Sequence, residues 1–180
     1  MGKDYSEKEI VKKLGDPQAM RNAFGWVVVH YSESMYWKIR RIVISHDDAN
    51  DVLQNALLKA WNNIETFKGE SKLSTWLYRI AINESLDFVR HKKVLTKVDD
   101  EKELASLQSD KYFDGNEAEK MLQEAVATLP EVQRTVFLMR YFEDMKYGDI
   151  SEILGTSVGA LKASYHIAVK KISEYFESRD

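Results

Sequence analysis

Apolar residues recur at three- and four-residue spacing through most of this 180-residue chain, β-branched alternation is scarce, and only Pro17 and Pro130 interrupt the pattern. That period predicts an all-α protein. Pro17 stands where a helix can start, and Gln18 to Tyr31 continues as helix despite Val27, Val28 and Val29, because burial overrides a modest propensity cost. A second apolar segment follows around Met35 to Ile44. Asp47 or Asp48 can N-cap the next helix, which runs to about Ile64 with Val52, Ala56, Leu57, Ala60 and Ile64 on one side. Another spans Ser74 to His91, with Leu73, Trp76, Leu77, Ile80 and Ala81 on one arc and Arg79, Asn83, Leu86 and Arg90 on another.

From about Val94 to Asn116 the periodicity fails, and the polar, acidic stretch reads as a flexible linker. Helical spacing resumes over Glu117 to Thr128, Pro130 opens a helix through about Phe142, and Tyr147 to Leu154, a turn at Gly155 and a last helix from Ser157 to Phe176 complete the chain. The division is therefore a helical domain over 1–93, a linker over 94–116 and a second helical domain over 117–180.

The absence of cysteine excludes a disulfide framework, thiolate catalysis and the common structural zinc sites. Four scattered histidines suggest no metal site, and nothing calls for a cofactor. The N-terminal stretch carries charges every few residues and no apolar core of a leader, and no segment approaches the ~20 apolar residues of a membrane span. A soluble, cytoplasmic protein without membrane insertion is expected.

The net charge of −3 conceals a partition. Lys68 to Lys97 holds seven basic residues against three acidic ones, whereas Asp99 to Glu124 holds nine acidic residues against three lysines. Basic and acidic stretches this close suggest separate tasks.

Two short helices joined at Gly155 have the arrangement of a helix-turn-helix, whose second helix enters the major groove. At ~100° per residue, Leu161, Tyr165, Ala168 and Ile172 form a packing stripe. Gly159, Lys162, Ala163, His166 and Lys170 fall opposite, where they can face DNA. Ser157 suits the N-cap, and the small Gly159, Ala160 and Ala163 allow close approach to base edges. The same spacing also fits an amphipathic terminal hairpin with a solvated lysine face.

In the central region Arg79 and Arg90 can hold phosphates and Asn83 can address a base edge or sugar. The preceding loop supplies Phe67, Lys68, Ser71, Lys72 and Ser74, the cations, hydroxyls and aromatic that suit an unstacked base. For Trp76, core packing is preferred over base stacking. On the helix before the loop, Asp48, Asp51, Asn55 and Leu58 share a face flanked by Gln54 and Trp61. Such a strip is poor for DNA and suits a basic, partly helical protein, although by itself it also fits an ordinary solvated helix.

The runs DDANDVLQNALLKAW, F-x-G-x-S-x-L-x-TWLYRIAIN-x-x-LD-x-x-R and LPEVQRTVFLMRYFEDMKYGDISEILGTSVGALKASYHIAVKKI, in this order, resemble bacterial RNA polymerase sigma factors of the sigma-70 family, extracytoplasmic-function group. The resemblance covers about Asn22 to Ile172. It implies a non-enzymatic initiation factor with a sigma region 2 bundle, a linker threading toward the polymerase cleft and a sigma region 4 helix-turn-helix. Asp51, Gln54, Asn55, Leu58 and Trp61, with Asp48 beside them, would meet the β′ clamp helices of core RNA polymerase, and the β flap would be a second contact. The loop from Phe67 to Ser74 with Trp76, Arg79 and Asn83 would capture and melt the −10 element of promoter DNA. Ser157, Gly159, Ala160, Lys162, Ala163 and His166 would read the −35 element. The resemblance leaves room for an anti-sigma factor as a further partner. Asn55 departs from a Glu usual in the family, and Ser164, Ile167 and Val169 stand where Arg is frequent. The rival readings are a regulator that binds duplex DNA alone and a small helical enzyme; the latter lacks any phosphate-binding glycine loop or spaced His/carboxylate cluster.

Overall fold

In the computed structural model, Ser6 opens a helix that the charge-rich N-terminal stretch conceals. The Glu9 carboxylate accepts from the Ser6 backbone N–H at 2.8 Å and from its hydroxyl at 3.0 Å, which starts α1 (Glu7–Leu14). Ile10 and Leu14 are buried, and α1 packs on α2 (Met20–Val43). The structure describes residues 6–95 and 117–179, all-α among them, in two units, Met1–His91 and Lys92–Asp180.

Helix α2 is one element of 24 residues where the periodicity predicts two. The Tyr31–Met35 stretch stays helical because Tyr31, Met35 and Ile39 are buried in one stripe, while Ser32 and Ser34 return their hydroxyls to the Val28 and Tyr31 carbonyls of the same helix. Ala23, Phe24, Val27, Tyr31, Met35 and Ile39 form its buried stripe. Pro17 lies in the turn ahead of α2 rather than in its first turn, in a stretch where the Asp16 side chain accepts from Gln18 N–H at 3.0 Å.

Ile44 joins α2 to α3 (His46–Asn62) at φ 68° and ψ −44°, with Ser45 N–H donating to the Val43 carbonyl at 2.8 Å. This is a γ-turn, and a β-branched residue at positive φ strains it by roughly 1–3 kcal/mol. The Ile44 side chain, only 3% exposed, offsets that cost through burial. Ser45, not Asp47 or Asp48, is the N-cap: its hydroxyl accepts from Asp48 N–H at 3.4 Å, and the two aspartates occupy the first turn. Helix α3 ends two residues before Ile64, which belongs to a 3-10 turn (Ile64–Thr66) and remains buried.

A loop with Gly69 at φ 72° leads into α4 (Leu73–Leu95), longer at both ends than predicted. Val94 and Leu95 thus continue α4 instead of starting the linker, and the rest of that stretch to Asn116 lies outside the described residues.

In the second unit, α5 (Glu117–Ala127) and α6 (Glu131–Tyr141) flank Pro130, which serves as the N-cap residue of α6. Helix α7 (Tyr147–Leu154) ends at Gly155, whose left-handed φ of 62° makes the turn into α8 (Val158–Glu177). Phe137 of α6 stacks on Tyr165 of α8 at 5.8 Å, and Val136, Met139, Ile150, Leu161 and Ala168 fill the space beneath. Glu124 ties the far end of α8 to α5 by accepting from Tyr175 Oη at 2.9 Å and Arg179 Nη1 at 2.7 Å. Among the described residues no helix is long and apolar enough to cross a membrane, and no cluster suited to a metal ion occurs.

Candidate nucleic-acid and protein-docking interfaces

The first surface is the outer strip of α3. Ala49, Val52, Ala56 and Ala60 are buried, which rotates Asp51, Gln54, Asn55 and Leu58 into solvent; Asp48 is half-buried. Leu58 is 60% exposed, a large apolar side chain among acids and amides. Trp61 continues the strip and is steadied by an edge-on contact with Phe24, ring centres 5.1 Å apart. Beside it lies an open apolar cavity of about 590 Å³ lined by Pro17, Met20, Arg21, Phe24, Gly25 and Trp61. The α2 side of that cavity is absent from the sequence reading, since Met20 and Phe24 look like ordinary core positions until Trp61 is placed next to them.

The second surface is the loop before α4 and the helix itself. Lys68, Ser71 and Lys72 are exposed, Ser74 is half-buried, and Phe67 and Trp76 are half-buried against each other at 5.5 Å with a tilt of 49°. Trp76 is therefore neither a core residue nor a free platform; with Phe67 it forms an aromatic pair beside the cationic loop. Leu73, Leu77, Ala81, Ile82 and Leu86 are buried. Leu86 thus leaves the polar arc predicted for it: Ile82, Ser85 and Val89 are buried beside it and widen the packed side of the helix until position 86 is included. Arg79 is exposed and Asn83 half-buried, one turn apart, while Arg90 sits two turns further on and pairs with Asp87 at 3.4 Å. Sequence reasoning missed Lys59 and Glu84, an ion pair between α3 and α4. Their 25-residue separation leaves no local signal.

The third surface is α8. The Ser157 hydroxyl accepts from Ala160 N–H at 3.3 Å, and Gly159, Ala160, Lys162, Ala163, His166 and Lys170 are all exposed, as the helical arithmetic predicts. Leu161, Ala168 and Ile172 are buried, and Tyr165 is half-buried on Phe137. Lys162 sits above the Tyr147 ring at 5.9 Å, and Lys170 pairs with Glu174 at 3.7 Å. Ile167 and Val169 flank this face at 43% and 38% exposure.

Chemically, the α3 strip offers acceptors and an apolar knob to a basic helical protein. The loop and α4 offer cations, hydroxyls and aromatic rings to a strand, and α8 offers small residues and cations to a groove.

A family model described as sigma-70 region 2 matches residues 27–94, and one described as sigma-70, region 4 matches residues 119–172. The RNA polymerase sigma factor SigV of Bacillus subtilis is 30% identical over 145 residues, covering 79% of this chain and 84% of its own. The ECF RNA polymerase sigma factor SigW of the same organism is 32% identical over 166 residues, covering 86% and 87%. Among solved structures, the sigma factor RpoE of Bartonella quintana, determined in complex with the anti-sigma factor NepR, has a similar fold, with a TM-score of 0.63 at 20% identity over 86% of this chain and 96% of that one.

Proposed function

Because the chain belongs to the sigma-70 family of RNA polymerase sigma factors, in its extracytoplasmic-function group, we propose that its three exposed surfaces divide promoter-directed initiation among them. The protein binds core RNA polymerase and directs transcription initiation at promoters. In our reading residues 1–93 act as region 2, 94–116 as the linker and 117–180 as region 4.

Asp48, Asp51, Gln54, Asn55, Leu58 and Trp61 receive the β′ clamp helices. Phe67, Lys68, Ser71, Lys72, Ser74, Trp76, Arg79, Asn83 and Arg90 take the −10 element and hold it once melted. Ser157, Gly159, Ala160, Lys162, Ala163, His166 and Lys170 address the −35 element, and the second unit also meets the β flap. The chain contributes binding energy rather than a catalytic group, the polymerase supplying the chemistry, and it acts in the cytoplasm, where that enzyme works. An anti-sigma factor is a further partner for these same surfaces.

The observation that carries this division is the first unit's pair of dissimilar surfaces: an acid, amide and leucine strip on α3 and a cationic, aromatic approach to α4. A duplex-binding regulator has no use for the α3 strip. Run-off transcription with core polymerase and genomic fragments tests the proposal. Transcripts that start at defined sites only when the chain is added support it; footprinting by the free chain at nanomolar concentration and physiological salt favours an ordinary regulator.

A further inference from the structure

Helix α4 begins with a deficit. Lys72 precedes its first residue and already accepts the first helical hydrogen bond, from Trp76 N–H to its carbonyl at 3.2 Å. A lysine side chain has no acceptor to offer the amides of the first turn, and that turn contains no acidic residue. Lys68 and Lys72 add positive charge to the positive end of the helix dipole. Leu73 is wholly buried.

The missing acceptor arrives from 66 residues upstream. Glu7, in the first turn of α1, accepts from Leu73 N–H through Oε1 at 2.8 Å, and its Oε2 accepts from Tyr31 Oη of α2 at 3.5 Å. Tyr31 lies edge-on to Tyr78 of α4 at 6.5 Å, and Tyr78 Oη lies 3.1 Å from Ser34 Oγ. One carboxylate thus satisfies a buried amide, opposes the lysines at the helix start and joins α1, α2 and α4 where the loop from Phe67 to Lys72 enters the helix.

We propose that Glu7 is a positioning residue for −10 capture: by capping α4 from α1 it fixes the loop and the first turns of the helix in the register that presents Lys68, Lys72, Arg79 and Asn83 to the melted strand. It touches no DNA itself. The inference rests on the reading of α4 as the −10 surface.

The test uses holoenzyme assembled from core polymerase and the full chain carrying Glu7→Ala, Glu7→Gln or, as a reference, Asn83→Ala. Each is measured for affinity to core enzyme, for binding to a template with a pre-melted −10 segment, and for hydrogen exchange at the Leu73 amide. Glu7→Ala is expected to speed exchange at Leu73 and to weaken capture of the pre-melted template about five- to tenfold, the scale of one lost cap. Polymerase affinity stays unchanged, because the α3 strip is intact. Glu7→Gln keeps an acceptor oxygen and is expected to restore most of the binding, which separates capping from a general loss of fold. Parent-like capture by Glu7→Ala beside a defective Asn83→Ala overturns the role of Glu7 alone. Parent-like capture by both overturns the −10 reading and this inference with it. Equal loss of capture and polymerase affinity in the alanine and glutamine variants overturns it as well, reducing Glu7 to a fold-stabilising residue.

Discussion

The Lys59 ammonium of α3 is ion-paired with the Glu84 carboxylate of α4, and each partner stands one position from a proposed contact, Lys59 after Leu58 and Glu84 after Asn83. The pair therefore links the helix proposed to face polymerase to the helix proposed to face the melted strand. Lys59 is half-exposed, so the pair is expected to contribute only about 0.2–1 kcal/mol to stability in a double-mutant cycle with Lys59→Ala and Glu84→Ala. The Lys59 pKa is raised, chiefly by the hydrogen bond to Glu84. A raised lysine pKa means the coupling is complete below the ordinary lysine range and is lost as the pH climbs through the folded value. Urea titrations of the four proteins at neutral and strongly alkaline pH check both points; a coupling that survives deprotonation contradicts the assignment.

The α3 strip predicts a separation of binding from folding. Asp51 and Leu58 are both exposed, so Asp51→Arg with Leu58→Ala should weaken association with core polymerase by at least tenfold, a central apolar contact being worth about 2 kcal/mol. Far-ultraviolet circular dichroism should remain that of the parent, since neither side chain packs. Unchanged affinity removes α3 from the interface, and loss of helicity means the faces are assigned wrongly.

Tyr31 supplies a pH signature for the α1–α2 contact. Its pKa is pushed up to about 12, first by burial and then by the Glu7 carboxylate. A raised tyrosine pKa favours the neutral, folded form, so this contribution is fully present below about pH 10, the unfolded value, and is lost as the pH rises toward the folded one. Tyrosinate absorbance should show a late-titrating group that disappears in Tyr31→Phe and titrates earlier in Glu7→Gln. An unaltered titration curve in Tyr31→Phe counts against the buried pair.

Local patterns in the sequence expose most of this architecture and miss its joints. The α8 faces follow from one period, and Leu161, Ala168 and Ile172 are buried as that period requires. Helix α1 is also legible, because Ser6 and Glu9 form the Ser-x-x-Glu capping signature within the charge-rich N-terminal stretch. Ser45 before Asp48 is a similar start signal, passed over for the aspartates themselves. The Glu7–Leu73 and Lys59–Glu84 contacts had no such signal: partners 66 and 25 residues apart meet only after the helices have packed. Leu86 differs for a related reason, since an arc drawn through Arg79 and Asn83 does not show that the buried Ile82, Ser85 and Val89 widen the packed side of α4 to take it in.

The flanks of α8 predict a gain of function. Ile167 and Val169 are exposed apolar residues at positions where the family often carries Arg, so the helix has few cations beyond Lys162 and Lys170 to neutralise phosphates. Ile167→Arg and Val169→Arg should each strengthen holoenzyme binding across promoter sequences and steepen the dependence on salt concentration by about 0.9 log unit. Lys170→Ala should shallow it by about the same amount, whereas Ala163→Arg should alter −35 preference by filling the base-facing side. Filter binding across a salt series on several promoters distinguishes these effects; a sequence-selective effect of Lys170→Ala contradicts its role as a phosphate contact.

Melting gives the sharpest expectation. Asn83 lies one helical turn after Arg79, half-buried beside the exposed arginine, with the Phe67–Trp76 pair and the lysine loop at the start of the same helix. From there its amide can donate to and accept from the edge of a base that has left the stack, while Arg79 holds the backbone. Asn83→Ala should therefore impair open-complex formation more than initial promoter binding, because duplex DNA offers that edge only after strand separation. On a template with a pre-melted −10 segment the part of the defect due to opening disappears, leaving the lost base contact of roughly 1–3 kcal/mol. Permanganate reactivity of unpaired thymines, compared on duplex and pre-melted templates, reads the two parts separately. If Asn83→Ala opens duplex promoters as well as the parent does, α4 is not the melting surface, and the roles proposed for Arg79 and the Phe67–Ser74 loop go with it.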